Sequence, residues 1–323
     1  MKKSLIALAV AGAMTAPMIA QADATLYGYL ETRLTADEDS DLQVAATKVG
    51  LGVRGVADND FDGLETGYQM EMRFKAGNSN ADSSDPSEGE TEVHKANAWL
   101  EGGFGRLTAG LQNNPAERGV WSISNRANAT FIDQQDNINN ALVYTTPNMG
   151  GLELEVGIAM DASMGGGEDI VLSNGKPGKK DGDDVDVAVF GANYSIMGLN
   201  LGLGYANYEG ADDDETSKDG GDIISVQANY SIDALTLGAS WQERDYDNNV
   251  QDVEGWLVGA GFAFGKASVY GEWTERDFDN AGDDEGYVIG ARYKLGSKAM
   301  VQLETAQFDE KGDLTTLEYQ LNF

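Results

Sequence analysis

Apolar and polar residues alternate one for one along this chain, in run after run, down to its last residue. At the C-terminus Leu317, Tyr319, Leu321 and Phe323 are separated by Glu318, Gln320 and Asn322. Leu152, Leu154, Val156, Ile158 and Met160 repeat the pattern, with Glu153 and Glu155 interleaved. Tyr68, Met70, Met72 and Phe74 alternate with Gln69, Glu71, Arg73 and Lys75. The stretches Ile224–Tyr230, Leu235–Trp241 and Tyr287–Leu295 follow suit. A period of two places successive side chains on opposite faces of a strand, so each run predicts a β-strand with one greasy and one wet face. Composition agrees, since 41 Gly, 13 Tyr and 10 Phe favour strands and turns over helices.

Each run is about ten residues, the length of a tilted strand that crosses a hydrocarbon core. Short connections (Met197-Gly198, Asp233-Ala234, Gly265-Lys266, Ser297-Lys298) alternate with longer acidic ones (Gly77–Thr91, Asp161–Asp184, Gly210–Gly221, Phe278–Asp284). Counting from Ala24 to Phe323 predicts an all-β fold, a transmembrane antiparallel β-barrel of about sixteen strands. An even number brings the first strand beside the last and lets them pair. A soluble β-sandwich or β-helix also alternates, but has no reason to keep one set of turns short and the other long. Its apolar face would also be dominated by large aliphatics, whereas here that face carries Ala, Gly and terminal Tyr and Trp, as lipid and its headgroup boundary allow. The richest apolar stretch, Gly255–Gly265, is far too short for a membrane-spanning helix.

Lys2 and Lys3, the apolar stretch Leu5–Ala13, Pro17 and the small residues around Ala20-Gln21-Ala22 read as a secretory signal. Cleavage after Ala22, with Ala24 as the alternative end, leaves one barrel domain, residues 23–323. The chain has 22 Lys+Arg against 54 Asp+Glu, a formal net charge of −32, and losing Lys2 and Lys3 deepens it to −34. A polyanion would be repelled, so nucleic acid is excluded as a partner. With no Cys, and His94 as the single histidine, disulfides, thiolate metal sites and Cys nucleophiles are excluded. No enzyme is expected, because His94 has no convincing Ser partner.

Two motifs are misleading. Asp58-x-Asp60-x-Asp62-Gly63 opens like a calcium loop but has Gln69 where the bidentate Glu belongs, so it is expected to be an acidic turn. Gly50-x-Gly52-x-x-Gly55 matches a dinucleotide-binding pattern, yet a strand end and turn follow it instead of a helix. Its glycines are expected to permit curvature or close approach of a neighbouring chain. No cofactor is expected beyond divalent cations loosely held by acidic loops such as Asp212–Glu215.

Thr25-Leu26-Tyr27-Gly28, Val49–Gly55, Gly102–Gly110 and Asn140–Leu152, in this order and ending on Phe323, resemble the trimeric general-diffusion porins of Gram-negative bacteria. The resemblance implies a homotrimer in the outer membrane, with short periplasmic turns, long extracellular loops and contact with lipid and lipopolysaccharide. It implies that Leu317, Tyr319, Leu321 and Phe323 are the signal read by the outer-membrane assembly machinery. It also implies a third loop, about Asn113 to Asn137, folded into the barrel and bearing Glu117, Asp133 and Asp136 beside Arg118 and Arg126. Opposite it would stand a basic cluster. Strand parity puts Arg33, Lys48, Arg54 and Arg73 on the wet face, whereas Ala96 and Asn137 stand where other members carry arginine. Glu31, Glu71, Glu153, Glu155, Glu272, Glu304 and Glu318 also fall on that face. The function expected is passive diffusion of ions and small hydrophilic solutes, with cations preferred. A substrate-selective porin, with Trp121 or Phe131 as an aromatic slide for sugars, is the alternative, followed by a structural or adhesive barrel.

Overall fold

The computed structural model describes residues 24–37, 42–76, 91–125, 136–160, 185–208, 220–246, 252–278, 282–309 and 312–323. The strands in chain order are β1 (Thr25–Asp37), β2 (Gln43–Ala57), β3 (Leu64–Ala76), β4 (Thr91–Gly102), β5 (Gly105–Asn113), β6 (Asn137–Thr145), β7 (Leu152–Ala159) and β8 (Val187–Ile196). They continue as β9 (Leu199–Tyr208), β10 (Gly221–Ile232), β11 (Leu235–Tyr246), β12 (Val253–Phe264), β13 (Ala267–Phe278), β14 (Asp284–Lys294), β15 (Ala299–Phe308) and β16 (Gly312–Asn322). Every strand pairs with its chain neighbours, and β1 pairs antiparallel with β16, so the sheet closes into a sixteen-stranded barrel without a free edge. Closure is sealed at the chain end, where Gly28 and Phe323 exchange main-chain hydrogen bonds of 3.1 and 3.0 Å.

The expected faces are the observed ones. Leu201, Val226, Leu237, Val258, Ile289, Leu303 and Leu317 are exposed on the outer wall, while Gln227, Ser240, Gln242, Gln302 and Thr316 are buried inside. An outer surface so apolar has a low free energy only against lipid, and a closed barrel satisfies every strand's backbone without water. Tyr205, Trp241, Trp256, Trp273 and Tyr287 stand near the long-loop ends of β9 to β14. Tyr230, Phe262, Phe264 and Tyr293 stand near the opposite rim, so an apolar band lies between two aromatic levels.

The short turns follow local chemistry. Met197 and Gly198 both have positive φ (48° and 85°), the combination that lets a two-residue hairpin follow the strand twist. Asp58–Gly63 is a turn between β2 and β3, as expected, pinned by Asn59, whose side chain accepts from Phe61 N (2.9 Å) and donates to Leu64 O (2.9 Å). Alternation of short and long connections fails at the end of the chain. Only residues 309–311 link β15 and β16, although they lie on the long-loop rim. The expected leader and most of the long acidic loops lie outside the described residues.

Candidate pore constriction

The third loop leaves β5 at Asn113 and returns at Asn137, the bounds expected from the sequence. It enters through a short 3-10 helix, Pro115–Gly119, started by Asn114, whose side chain accepts from Ala116 N at 3.0 Å. Pro115 suits the first turn because it has no N–H to satisfy. The helix lies directly on backbone. A methyl group at Gly204 would come within 1.7 Å of Ala116 O, one at Gly202 within 1.8 Å of Arg118 O, and one at Gly191 within 2.3 Å of Pro115 O. Beneath it Ile138, Val143, Val187, Val189, Ala206 and Ile223 form an apolar core on the inner wall.

The loop then runs along β10 to β16, held by the wall. Ser240 Oγ accepts from Trp121 N (2.7 Å) and donates to Trp121 O (2.8 Å), and the Trp121 ring fills the space above Gly238. Glu272 accepts from Ile123 N (2.5 Å), Ser124 N (2.8 Å) and Ser122 Oγ (2.8 Å). Glu304 accepts from Asn125 N (2.9 Å), Glu318 accepts from Asn125 Nδ2 (3.2 Å), and Arg292 donates to Ile123 O (2.5 Å). Carboxylates are strong acceptors for backbone N–H groups, so this latch is charge-assisted along its length.

This changes the reading of the wall acids. Glu272, Glu304 and Glu318 point inward as parity requires, but are 4%, 1% and 1% exposed, the first two bonded to loop backbone and the third shared between Asn125 and Arg33. Glu31 and Glu71 are likewise buried. None of the five is the solvated lumen charge expected from the sequence. Trp121 is packed against the wall instead of forming a slide, and Phe131 lies outside the described residues.

The opposite wall is built differently. On β2 the inward row reads Lys48, Gly50, Gly52, Arg54. Tyr29 lies across Gly50 and Tyr27 across Gly52, where a methyl group would meet their rings at 2.2 and 2.3 Å. These glycines thus admit aromatic rings from the adjacent strand, not a neighbouring chain. Both phenols donate to Glu71 (2.8 Å each), Gln69 donates to Tyr27 (2.7 Å) and Arg73 Nε donates to Tyr29 (2.9 Å).

The predicted constriction residues divide four ways. Arg33 is consumed, pairing with Glu31 and Glu318 at 2.9 Å each. Arg118 on the loop pairs with Glu153 (3.2 Å) and Glu155 (2.6 Å) across the apolar seat. Arg73 is partly exposed, and Lys48 and Arg54 are exposed on the inner wall and form no ion pair among the described residues. Glu117 and Asp136 come together, and burial, then the Asp136 charge, pushes the Glu117 carboxyl up to about 8. Arg126 and Asp133 lie outside the described residues.

The sequence reading misplaced one position. A bulge between Glu71 and Met72 shifts the register on β4, so Ala96 faces outward opposite Met70, while Lys95 faces inward opposite Glu71. Lys95 lies close enough to Glu117 to act on its charge. Alternation of Lys95, Asn97, Trp99 and Glu101 with Ala96, Ala98 and Leu100 held the signal. His94 sits in that bulge, with Nδ1 2.8 Å from the Asn137 amide. On the outer wall, Glu275, Asp277 and Asp283 bring carboxylate oxygens within 4.8 Å of one another, away from the lumen.

A closed barrel of this size, entered by its third loop, matches a known family along nearly its whole length. The family model for Gram-negative porins covers residues 7–313. The chain belongs to the Gram-negative porins. An outer membrane porin protein of Bordetella pertussis is 24% identical over 99% of this chain and 90% of its own length. A monosaccharide porin of a Halomonas species is 25% identical, with 97% of this chain and 96% of that protein covered. The anion-selective porin from Comamonas acidovorans shares the fold at a TM-score of 0.70 and 17% identity, covering 94% of this chain and all of that one. The porin is thus an outer-membrane protein, and the apolar band of its wall faces that membrane.

Proposed function

We propose that this porin is a water-filled channel for passive diffusion of ions and small hydrophilic solutes, and not a catalyst. The observation that carries the reading is that Lys48 and Arg54 point inside a closed barrel and are nevertheless exposed to solvent. Barrels of this strand number enclose more space than wall side chains fill. Permeation is set by the gap between the third loop and the β1–β5 wall, where ions pass hydrated and feel local potential and width. Liposome swelling tests this: the rate should fall steeply with solute size. Absence of both swelling and current steps would assign the barrel a structural or adhesive role.

Ion preference divides by location. The acidic loops bias the mouths toward cations, whereas Lys48 and Arg54 are exposed basic groups on the β1–β4 wall, with Glu65 exposed at its short-turn end, and one relative in fold is named anion-selective. Reversal potentials in a KCl gradient should favour potassium at low salt and lose that preference as the Debye length shrinks to about 3 Å at 1 M. Chloride preference at low salt would contradict the assignment.

A homotrimer is supported by the outer wall. Among the described residues, Tyr and Trp at the long-loop level fall on β9 to β14 and none on the arc from β15 through β1 to β8, where a neighbouring subunit would replace lipid. Three copies in detergent is the expected stoichiometry, and a monomer would contradict it. The leader is proposed to be removed near Ala22. Leu317, Tyr319 and Leu321, outward on β16, and Phe323 just beyond it are proposed as the assembly signal.

A further inference from the structure

We infer that the paired tyrosines of β1 form a subsite for sugar acids, small polyhydroxylated solutes that carry one carboxylate. The inference rests on the channel reading, because the subsite lines the lumen.

The geometry is that of a platform. Tyr27 and Tyr29 are two residues apart on one face of β1, so their rings lie about 7 Å apart. Each is laid flat on the wall because the residue beneath it is glycine. The phenol oxygens are held from below by the buried Glu71 and from the sides by Gln69 and Arg73. Rings fixed in this way present their faces to the lumen without a rotamer cost on binding. An aromatic face in a polar channel suits the C–H side of a sugar, whose hydroxyls remain free for the flanking polar groups.

Charge selects the acid over the neutral sugar. Arg54 and Lys48 bracket the platform at the two ends of the β2 inward row. The Arg54 guanidinium lies over the Tyr27 ring, 5.6 Å from its centre and near the outer limit of a cation–π contact, so a carboxylate on a solute seated on the platform comes within reach of its fork. The carboxylates behind the platform have cations of their own, Glu31 pairing with Arg33 at 2.9 Å and Glu71 lying 3.9 Å from Arg73, so they do not cancel the two exposed cations at the surface.

The test is block of the open channel in planar bilayers, with glucuronate and glucose added at equal activity. Block is read as a fraction of each variant's own open conductance, so every channel counted has folded and inserted. Glucuronate should block saturably with a Kd of about 10 mM, weak enough for release during transport. Glucose should be at least about tenfold weaker. Arg54→Gln and Tyr27→Leu should each weaken glucuronate block, and Arg54→Lys should restore part of it. Equal block by glucose and glucuronate would overturn the proposal. So would dependence on Arg54 without dependence on Tyr27, which is simple cation attraction. Open channels without saturable block would overturn the subsite and leave the channel standing, whereas absence of current steps would sink the channel itself.

Discussion

Two stretches of the inner wall use the same device for opposite ends. On β8, β9 and β11 the inward glycines Gly191, Gly202, Gly204 and Gly238 make room for a segment from elsewhere in the chain, and the third loop beds down on them. On β2 the inward glycines Gly50 and Gly52 make room for tyrosines from the next strand, and the wall stays open to the lumen. One wall is covered and its acids are consumed; the other is paved and leaves Lys48 and Arg54 exposed. An inward-facing position in a barrel is therefore either lining or packing, and what lies over it decides which.

The difference is sharpest if the loop is unseated. Gly204→Val places side-chain atoms where Ala116 O now sits, an overpacking that costs about 1–3 kcal/mol and has no flexible partner to absorb it. Single-channel conductance should rise about twofold or more as the constriction widens, and larger solutes should swell liposomes. Unchanged conductance would show that the loop is not the narrowing element. Glu272→Gln attacks the same wall more gently. It removes the charge from an acceptor serving three donors and should cost about 2 kcal/mol in barrel denaturation, with noisier current. A quiet channel of unchanged stability would contradict the latch.

A pH series comes next in size. Glu117 is neutral at pH 7 because its carboxyl is held up to about 8, so raising the pH through 8 adds a negative charge at the constriction. The potassium-to-chloride permeability ratio should therefore climb between pH 7 and 9, and Glu117→Gln should flatten that climb. The smallest effect is expected on the paved wall. Gly52→Ala meets only the far end of the Tyr27 side chain, so the ring should tilt at a cost of about 1 kcal/mol, with open conductance nearly intact. A change as large as that of Gly204→Val would erase the distinction between the walls.

Much of this was legible in the sequence. Period-two runs revealed the strands, their faces and their number, since lipid on one side and water on the other demand that alternation. The bounds of the third loop, Asn113 and Asn137, came from resemblance and hold. Alternation encodes a face, however, and not what covers it. Glu272 is about 150 residues from the Ser122–Ser124 segment it binds, and no local pattern links them. Lys95 was missed because the resemblance set Ala96 where other members carry arginine, whereas a bulge resets parity within β4 and turns Lys95 inward in its place. The tyrosine platform was hidden in the glycine motif of β2, which makes physical sense only with β1 beside it.

The most direct test of an open wall facing a covered one uses the absence of cysteine from the chain. Lys48→Cys and Ser225→Cys place single thiols on inward positions, one on the paved wall and one beneath Gly119 of the loop. A water-soluble thiol reagent should label Lys48→Cys rapidly and reduce its conductance in steps, while leaving Ser225→Cys unlabelled until the barrel is denatured. Equal labelling of the two in the folded channel would contradict the account.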